Sequence, residues 1–271
     1  MSSGNRIQKK FSELRKKKKK ALIVFMTAGD PSFKLNERLI PAFEKEGADL
    51  IEIGVPFSDP LADGPVIQAS YQRSLARGTT LKKILGLVRK VRGKTSLPLL
   101  LMSSLNPLWH YGLKRFAADA HAAGVDGVII PDLPPDEGKE AESLFRRQRV
   151  DLVYLLAPTS PAARQKEVAH RSQGFVYYVS LTGVTGLRTT LAQGLGKQVR
   201  SLKKVSRLPV CVGFGISKPA MGREVAAVAD GIIVGSAVVR ALHEYRHLSA
   251  AQAARKIVRP FARALEKKQG Q

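Results

Sequence analysis

Short apolar runs, rich in Val, Ile and Leu, recur along the chain with longer helical-period stretches between them. They begin at Leu22 (LIVFMT), Asp49 (DLIEIG), Leu97 (LPLLLM), Asp126 (DGVIIP), Asp151 (DLVYLLA), Phe175 (FVYYVS), Leu208 (LPVCVGF) and Asp230 (DGIIVGS). Most are continuous rather than alternating, as expected of parallel strands covered on both faces. Between them, TLKKILGLVRKVRG places Leu81, Ile84, Leu85, Val88 and Val91 on one helical stripe, after a Thr79–Thr80 cap and before Gly93. FAADAHAAG from Phe116 and REVAAVA from Arg223 repeat that pattern, and GAD, GVDG or VADG then turns the chain into a strand. Pro41, inside the first barrel helix, is expected to kink or shorten it.

Eight strand-then-helix units predict an α/β fold: a single (β/α)8 TIM barrel with an extra N-terminal helix. The whole chain, 1–271, reads as one domain, with a basic helix at about 5–20 covering the barrel's N-terminal end and the barrel over about 21–267. No run approaches the length of a membrane span and no secretory pattern opens the chain, so a cytoplasmic globular protein is expected. The single cysteine, Cys211, fits a reducing compartment and reads as a small buried hydrophobe.

Charge adds a second feature. Lys and Arg number 45 against 22 Asp plus Glu, a formal net charge of +23. Such a balance favours acidic partners, phosphorylated metabolites among them. The dense run RKKKKK at Arg15–Lys20 has no interleaved aromatics and no nucleic-acid motif. It reads as a solvated helix face, and a nucleic-acid partner is not expected.

In this fold the chemistry lies at the C-terminal ends of the strands. The loops there are TAGDP, GVPFSDPLADGP, SSLNP, PDLPPDE, APTSP, SLTGVTG, GFGIS and GSA. Phe214-Gly215-Ile216-Ser217 after the seventh strand and Gly235-Ser236 after the eighth predict a phosphate site, since small residues let backbone N–H groups approach an anion at a helix N-terminus. The paired glycines of Gly183-Val184-Thr185-Gly186 suit a further contributor or a mobile lid. On the second strand, Leu50, Glu52 and Gly54 share one face and Ile51 and Ile53 the other. The isoleucines suit the helix side, which leaves Glu52 pointing into the barrel. Desolvation there raises its pKa towards neutrality, as a general acid–base needs. Asp63 lies on a Pro- and Gly-stiffened loop able to fold over the mouth. Strand lysines and metal-spaced histidines are both missing, which argues against a Schiff-base aldolase and a metal enzyme and leaves cofactor-free acid–base chemistry on a phosphorylated substrate.

These motifs resemble the tryptophan synthase α-subunit family (indole-3-glycerol-phosphate lyase) over about residues 6–265, through FMTAGDP, EIGVPFSDPLADGPVIQ, PDLPP, APTSP, YYVSLTGVTG, VGFGIS and ADGIIVGSA. The resemblance implies a carbon–carbon lyase that splits indole-3-glycerol phosphate into indole and glyceraldehyde 3-phosphate. Indole would pass to a β subunit in an α2β2 complex, with pyridoxal phosphate in that β subunit and no cofactor in this chain. It implies Glu52 as the acid–base at indole C3 and the glycerol hydroxyl, and Asp63 as the group stabilising charge at the indole nitrogen. By the same resemblance, Phe25 and Tyr177 line the indole region, Thr185 belongs to a lid, and Gly186, Phe214, Gly215, Gly235 and Ser236 hold phosphate. Asp59, Pro60 and Asn106 fall near the β-subunit contact. Ser103, Ser104 and Leu105 stand where relatives commonly carry tyrosines, a departure expected to bear on the indole pocket, and the positive charge is atypical. The alternatives are a non-catalytic scaffold that activates a β subunit, and another sugar-phosphate barrel enzyme, which would need an inward lysine or histidine.

Overall fold

The computed structural model describes residues 5–60, 63–179, 188–213 and 215–266, the side chains of 188–193 excepted. Nine parallel strands form one sheet: β1 (Ala21–Thr27), β2 (Leu50–Gly54), β3 (Leu99–Met102), β4 (Gly127–Ile129), β5 (Asp151–Val153), β6 (Leu155–Leu156), β7 (Val176–Val179), β8 (Val210–Gly213) and β9 (Gly231–Val234). Their order is β5-β4-β3-β2-β1-β9-β8-β7-β6. Since β5 and β6 follow one another through Tyr154, the two ends of this order meet and the sheet curls into a nearly closed barrel. The run DLVYLLA, expected as one strand, is thus two. The Tyr154 amide donates to Ser172 Oγ at 3.0 Å instead of to a neighbouring strand, which interrupts the ladder.

Two apolar layers follow from strand alternation. Ile23, Phe25, Leu50, Leu100, Ile129, Tyr177, Cys211 and Ile233 fill the barrel interior. Val24, Ile51, Ile53, Leu101 and Val128 pack outward against the helices. The expected Thr80 cap is present, accepting from Lys83 N, and the helix Leu81–Arg92 ends at Gly93. The helix Phe33–Lys45 runs through Pro41 without being ended by it, so the shortening expected there does not occur. Its Leu39, Ile40 and Phe43 are fully buried, and that packing outweighs the missing proline N–H.

The N-terminal helix spans Arg6–Lys16, shorter than the 5–20 expected. Its apolar face, Ile7, Phe11 and Leu14, inserts into the interior cluster and closes the N-terminal end of the barrel. The GAD-type turns have a defined role there. Asp49 Oδ2 accepts from Leu22 N, Asp126 Oδ2 from Leu99 N and Asp230 Oδ2 from Val210 N, each at 2.9–3.0 Å. Each aspartate N–H also donates to the carbonyl of the same residue on the adjoining strand, so every such turn is latched to its neighbour.

Candidate active site

Glu52 sits in β2 opposite Phe25 of β1 and Leu100 of β3, on the inward face assigned to it. It is 1% exposed, and neither carboxyl oxygen has a hydrogen-bond partner among the described residues. Burial, reinforced by the nearby Asp63, pushes its pKa up to about 8. Burial alone raises Asp63 to about 6. At neutral pH the first is therefore mostly a carboxylic acid and the second mostly a carboxylate, which is how one site supplies both a proton and a negative charge.

Both groups line a cavity of about 300 Å³ at the C-terminal ends of the strands, together with Phe25, Tyr177, Gly215, Gly235 and Ser236. Two glycines make room for its aromatic walls. A Cβ on Gly54 would lie 2.5 Å from Phe25 Cζ, and one on Gly213 would lie 2.5 Å from Tyr177 Oη. On the far side, Gly235 precedes the helix Ser236–Glu244, whose first turn carries no side-chain cap. Gly215, with φ +77°, adopts a left-handed conformation that an L side chain resists. Uncapped N–H groups at a helix start beside a glycine turn suit a phosphate dianion. Thr185, Gly186 and Phe214 lie outside the described residues.

The loop bearing Asp63 is held from the helix that follows it, Pro65–Leu75. Gln68 Nε2 donates to the Asp63 carbonyl at 2.8 Å. Ser70 bonds Thr27 at the end of β1 (2.6 Å), and Ser74 donates to the Ala28 carbonyl (2.5 Å). Arg73 grips buried Asp30 with two bonds of 3.0 and 2.7 Å. Tyr71, 3% exposed, reaches the rim of β2, where its hydroxyl lies 2.9 Å from a Cβ built on Gly54. Sequence reasoning did not single out Gln68, Tyr71 or Arg73. Their only signal was the unusual polarity of PVIQASYQRS in a helix that packs on the barrel mouth.

Ser103 is buried and bonds the Ser104 carbonyl, while Leu105 N is capped by Asp132 at 2.9 Å. None of Ser103, Ser104 and Leu105 lines the cavity; Met102 does. Asp59 and Asn106 are exposed and Pro60 is half-buried. Cys211 is fully buried in the barrel interior. Among the described residues, no three potential metal-ligating side chains converge, and no helix is long and apolar enough to cross a membrane.

A parallel (β/α)8 barrel with two unequal carboxyls and an uncapped helix start around one cavity defines the class, a barrel enzyme of acid–base type. The family profile described as tryptophan synthase alpha chain matches residues 11–269. Tryptophan synthase alpha chains from Geotalea uraniireducens and Geobacter sulfurreducens are 52% and 50% identical to it, over 89% of this chain and 91% of each relative. The crystal structure of tryptophan synthase subunit alpha from Legionella pneumophila superposes with a TM-score of 0.90 at 37% identity, covering 97% of this chain and 99% of that one. A chain of the aminoacrylate-bound tryptophan synthase from Mycobacterium tuberculosis does so with a TM-score of 0.86 at 32% identity, covering 97% and 100%. The chain belongs to the tryptophan synthase alpha chain family.

Proposed function

We propose that Glu52 and Asp63 carry the alpha reaction in this chain. Family membership makes the protein a carbon–carbon lyase of tryptophan biosynthesis, the alpha subunit that cleaves indole-3-glycerol phosphate and passes indole to a β subunit. The observation that carries the residue assignment is Glu52: a buried carboxyl with no hydrogen-bond partner among the described residues, facing the cavity that Asp63 also lines.

The neutral Glu52 gives its proton to indole C3, which makes the ring a leaving group and places positive charge on the ring nitrogen. The Asp63 carboxylate stabilises that charge. The Glu52 carboxylate then takes the proton of the adjacent glycerol hydroxyl. As that oxygen becomes the aldehyde carbonyl, the bond from its carbon to C3 breaks and its electron pair returns to the ring, neutralising the nitrogen. The proton on Glu52 is restored, so one carboxyl serves both transfers without a net change. Phe25 and Tyr177 wall the indole, while Gly215, Gly235 and Ser236 receive the phosphate; by family resemblance Gly186 and Phe214 join them and Thr185 belongs to a lid.

No step uses a cofactor of this chain; pyridoxal phosphate belongs to the β subunit of an α2β2 assembly. Exposed Asp59 and Asn106, with Trp109 63% exposed on the same helix as Asn106, support a docking surface for that partner at this end of the barrel. The setting is cytoplasmic, and the chain forms one domain.

Steady-state indole release from indole-3-glycerol phosphate tests the reading. The expected result is slow release alone and faster release with a β subunit. kcat/KM is expected to be bell-shaped in pH, falling below about 6 as Asp63 protonates and above about 8 as Glu52 ionises. Absence of indole release with a competent β subunit would refute it.

A further inference from the structure

The opposite end of the barrel carries a feature that the lyase reaction does not use. Two grooves flank the N-terminal helix Arg6–Lys16. One, of about 510 Å³, is lined by Arg15, Lys18, Lys19, Lys20, Lys203 and Arg207. These cations come from two segments almost two hundred residues apart, which the fold brings to one side of the helix. Asp230, the only acid among the described residues of that groove, is already occupied by Lys203 at 2.6 Å and by Val210 N. Arg15, Lys18 and Arg207 are exposed and make no ion pair among the described residues. The second groove, of about 910 Å³, adds Arg6, Lys9, Arg146 and Arg149 on the other side of the same helix.

Backbone conformation singles out the same two grooves. Among the described residues, only two non-glycine positions have positive φ: Lys18 at 52° and Arg149 at 56°. Each stands just past the end of a helix, where glycine would be free of strain. The helix Leu113–Ala123 uses Gly124 at its end in that way. A cation held in a left-handed conformation in each groove, at a position suited to glycine, indicates that the side chain there has a use.

We propose that this N-terminal face binds a linear polyanion, an inorganic polyphosphate chain, along the groove of Arg15, Lys18, Lys19, Lys203 and Arg207. Phosphates spaced along a flexible chain suit point charges arrayed beside a helix. A nucleic acid suits the groove less well. Among the described residues, Phe11 is its only aromatic and is 6% exposed, so none of them offers a ring for base stacking. The site is independent of the lyase assignment, because it lies at the other end of the barrel.

The test uses the full chain and a labelled polyphosphate in fluorescence anisotropy at about 0.15 M salt. The combined variant R15Q/K18Q/K19Q/R207Q is expected to weaken binding about tenfold or more. It is also expected to lower the slope of log affinity against log salt by roughly 3, at about 0.7 per cation removed. Its indole release without polyphosphate should match the parent, and circular dichroism checks its fold. A control that removes as many exposed cations from the outer helices, K34Q/R38Q/K82Q/K114Q, should lose less than about twofold. Equal loss in the control would mean that net charge alone attracts the ligand, and would overturn the proposal. So would undetectable binding of the parent, or equally tight binding of single-stranded DNA of the same charge.

Discussion

Asp126 and Glu52 stand at opposite ends of the barrel, 3% and 1% exposed, and differ in what surrounds their oxygens. Asp126 accepts from Arg6 at 2.9 Å, Arg92 at 3.0 Å and Leu99 N at 2.9 Å. Glu52 accepts from nothing among the described residues. A buried carboxylate surrounded by donors is a structural joint. A buried carboxyl without donors is driven towards its neutral form and keeps a proton to give. The contrast is one of partners rather than depth. Asp49 shows the intermediate case: burial raises its pKa although Leu22 N pulls the other way.

The sharpest way to break this comparison is Glu52→Gln. Indole release is expected to fall about 10³-fold or more, because the amide that replaces the carboxyl can neither give nor take back the proton. Stability should move in the opposite sense. The Glu52 pKa is raised from 4.5 to about 8 on folding, so its contribution is fully present below pH 4.5 and is lost as pH rises to about 8. Thermal melts should therefore find the variant gaining on the parent between pH 5 and 8, by an amount on the order of a few kcal/mol. A parent-like turnover, or no such pH-dependent gain, would separate Glu52 from the role given to it.

Asp126→Ala should do the reverse. It leaves Arg92, whose side chain is 15% exposed, without its carboxylate, at a cost of about 3 kcal/mol in urea denaturation. Activity per folded molecule should be unchanged, since this joint lies at the other end of the barrel. Asp63→Asn comes next, with kcat lower by about 10²-fold and the limb near pH 6 absent from the rate profile. Retention of that limb would assign it to another group. The smallest effect is expected at Lys18→Gly. Relief of its left-handed backbone should raise stability by about 1 kcal/mol, read as a Tm increase of about 2–4 °C, with indole release unchanged.

Much of this was legible before any coordinates. Continuous apolar runs and helical patterning located all eight strand segments and the caps at Thr80 and Gly93, because those signals are local. The inward face of Glu52 followed from its isoleucine neighbours. The shortening expected at Pro41 does not occur, since burial of Leu39, Ile40 and Phe43 outweighs the local defect. The split at Tyr154 was not legible, because it depends on a hydroxyl eighteen residues away. Tyr71 and Arg73 were invisible as positioning residues for the same reason: their partners Gly54 and Asp30 meet them only once the helix lies across the barrel mouth, whereas Gln68 bonds the nearby Asp63 carbonyl, a local contact that no motif marks. Asp63 itself is marked by the family motif, whereas Glu52 is marked by its inward position on a buried strand.

The repeating strand–helix rhythm, the inward carboxyl of β2 and the family motifs are carried by residues close together in the chain, and so are readable without the fold. Only the tertiary structure decided which carboxyls keep partners and which do not. It alone joined Arg15–Lys20 with Lys203 and Arg207 in one groove and held Asp63 from the helix behind it. The physical reason is that desolvation and electrostatic fields depend on every neighbour in space, and most of those neighbours are distant along the chain.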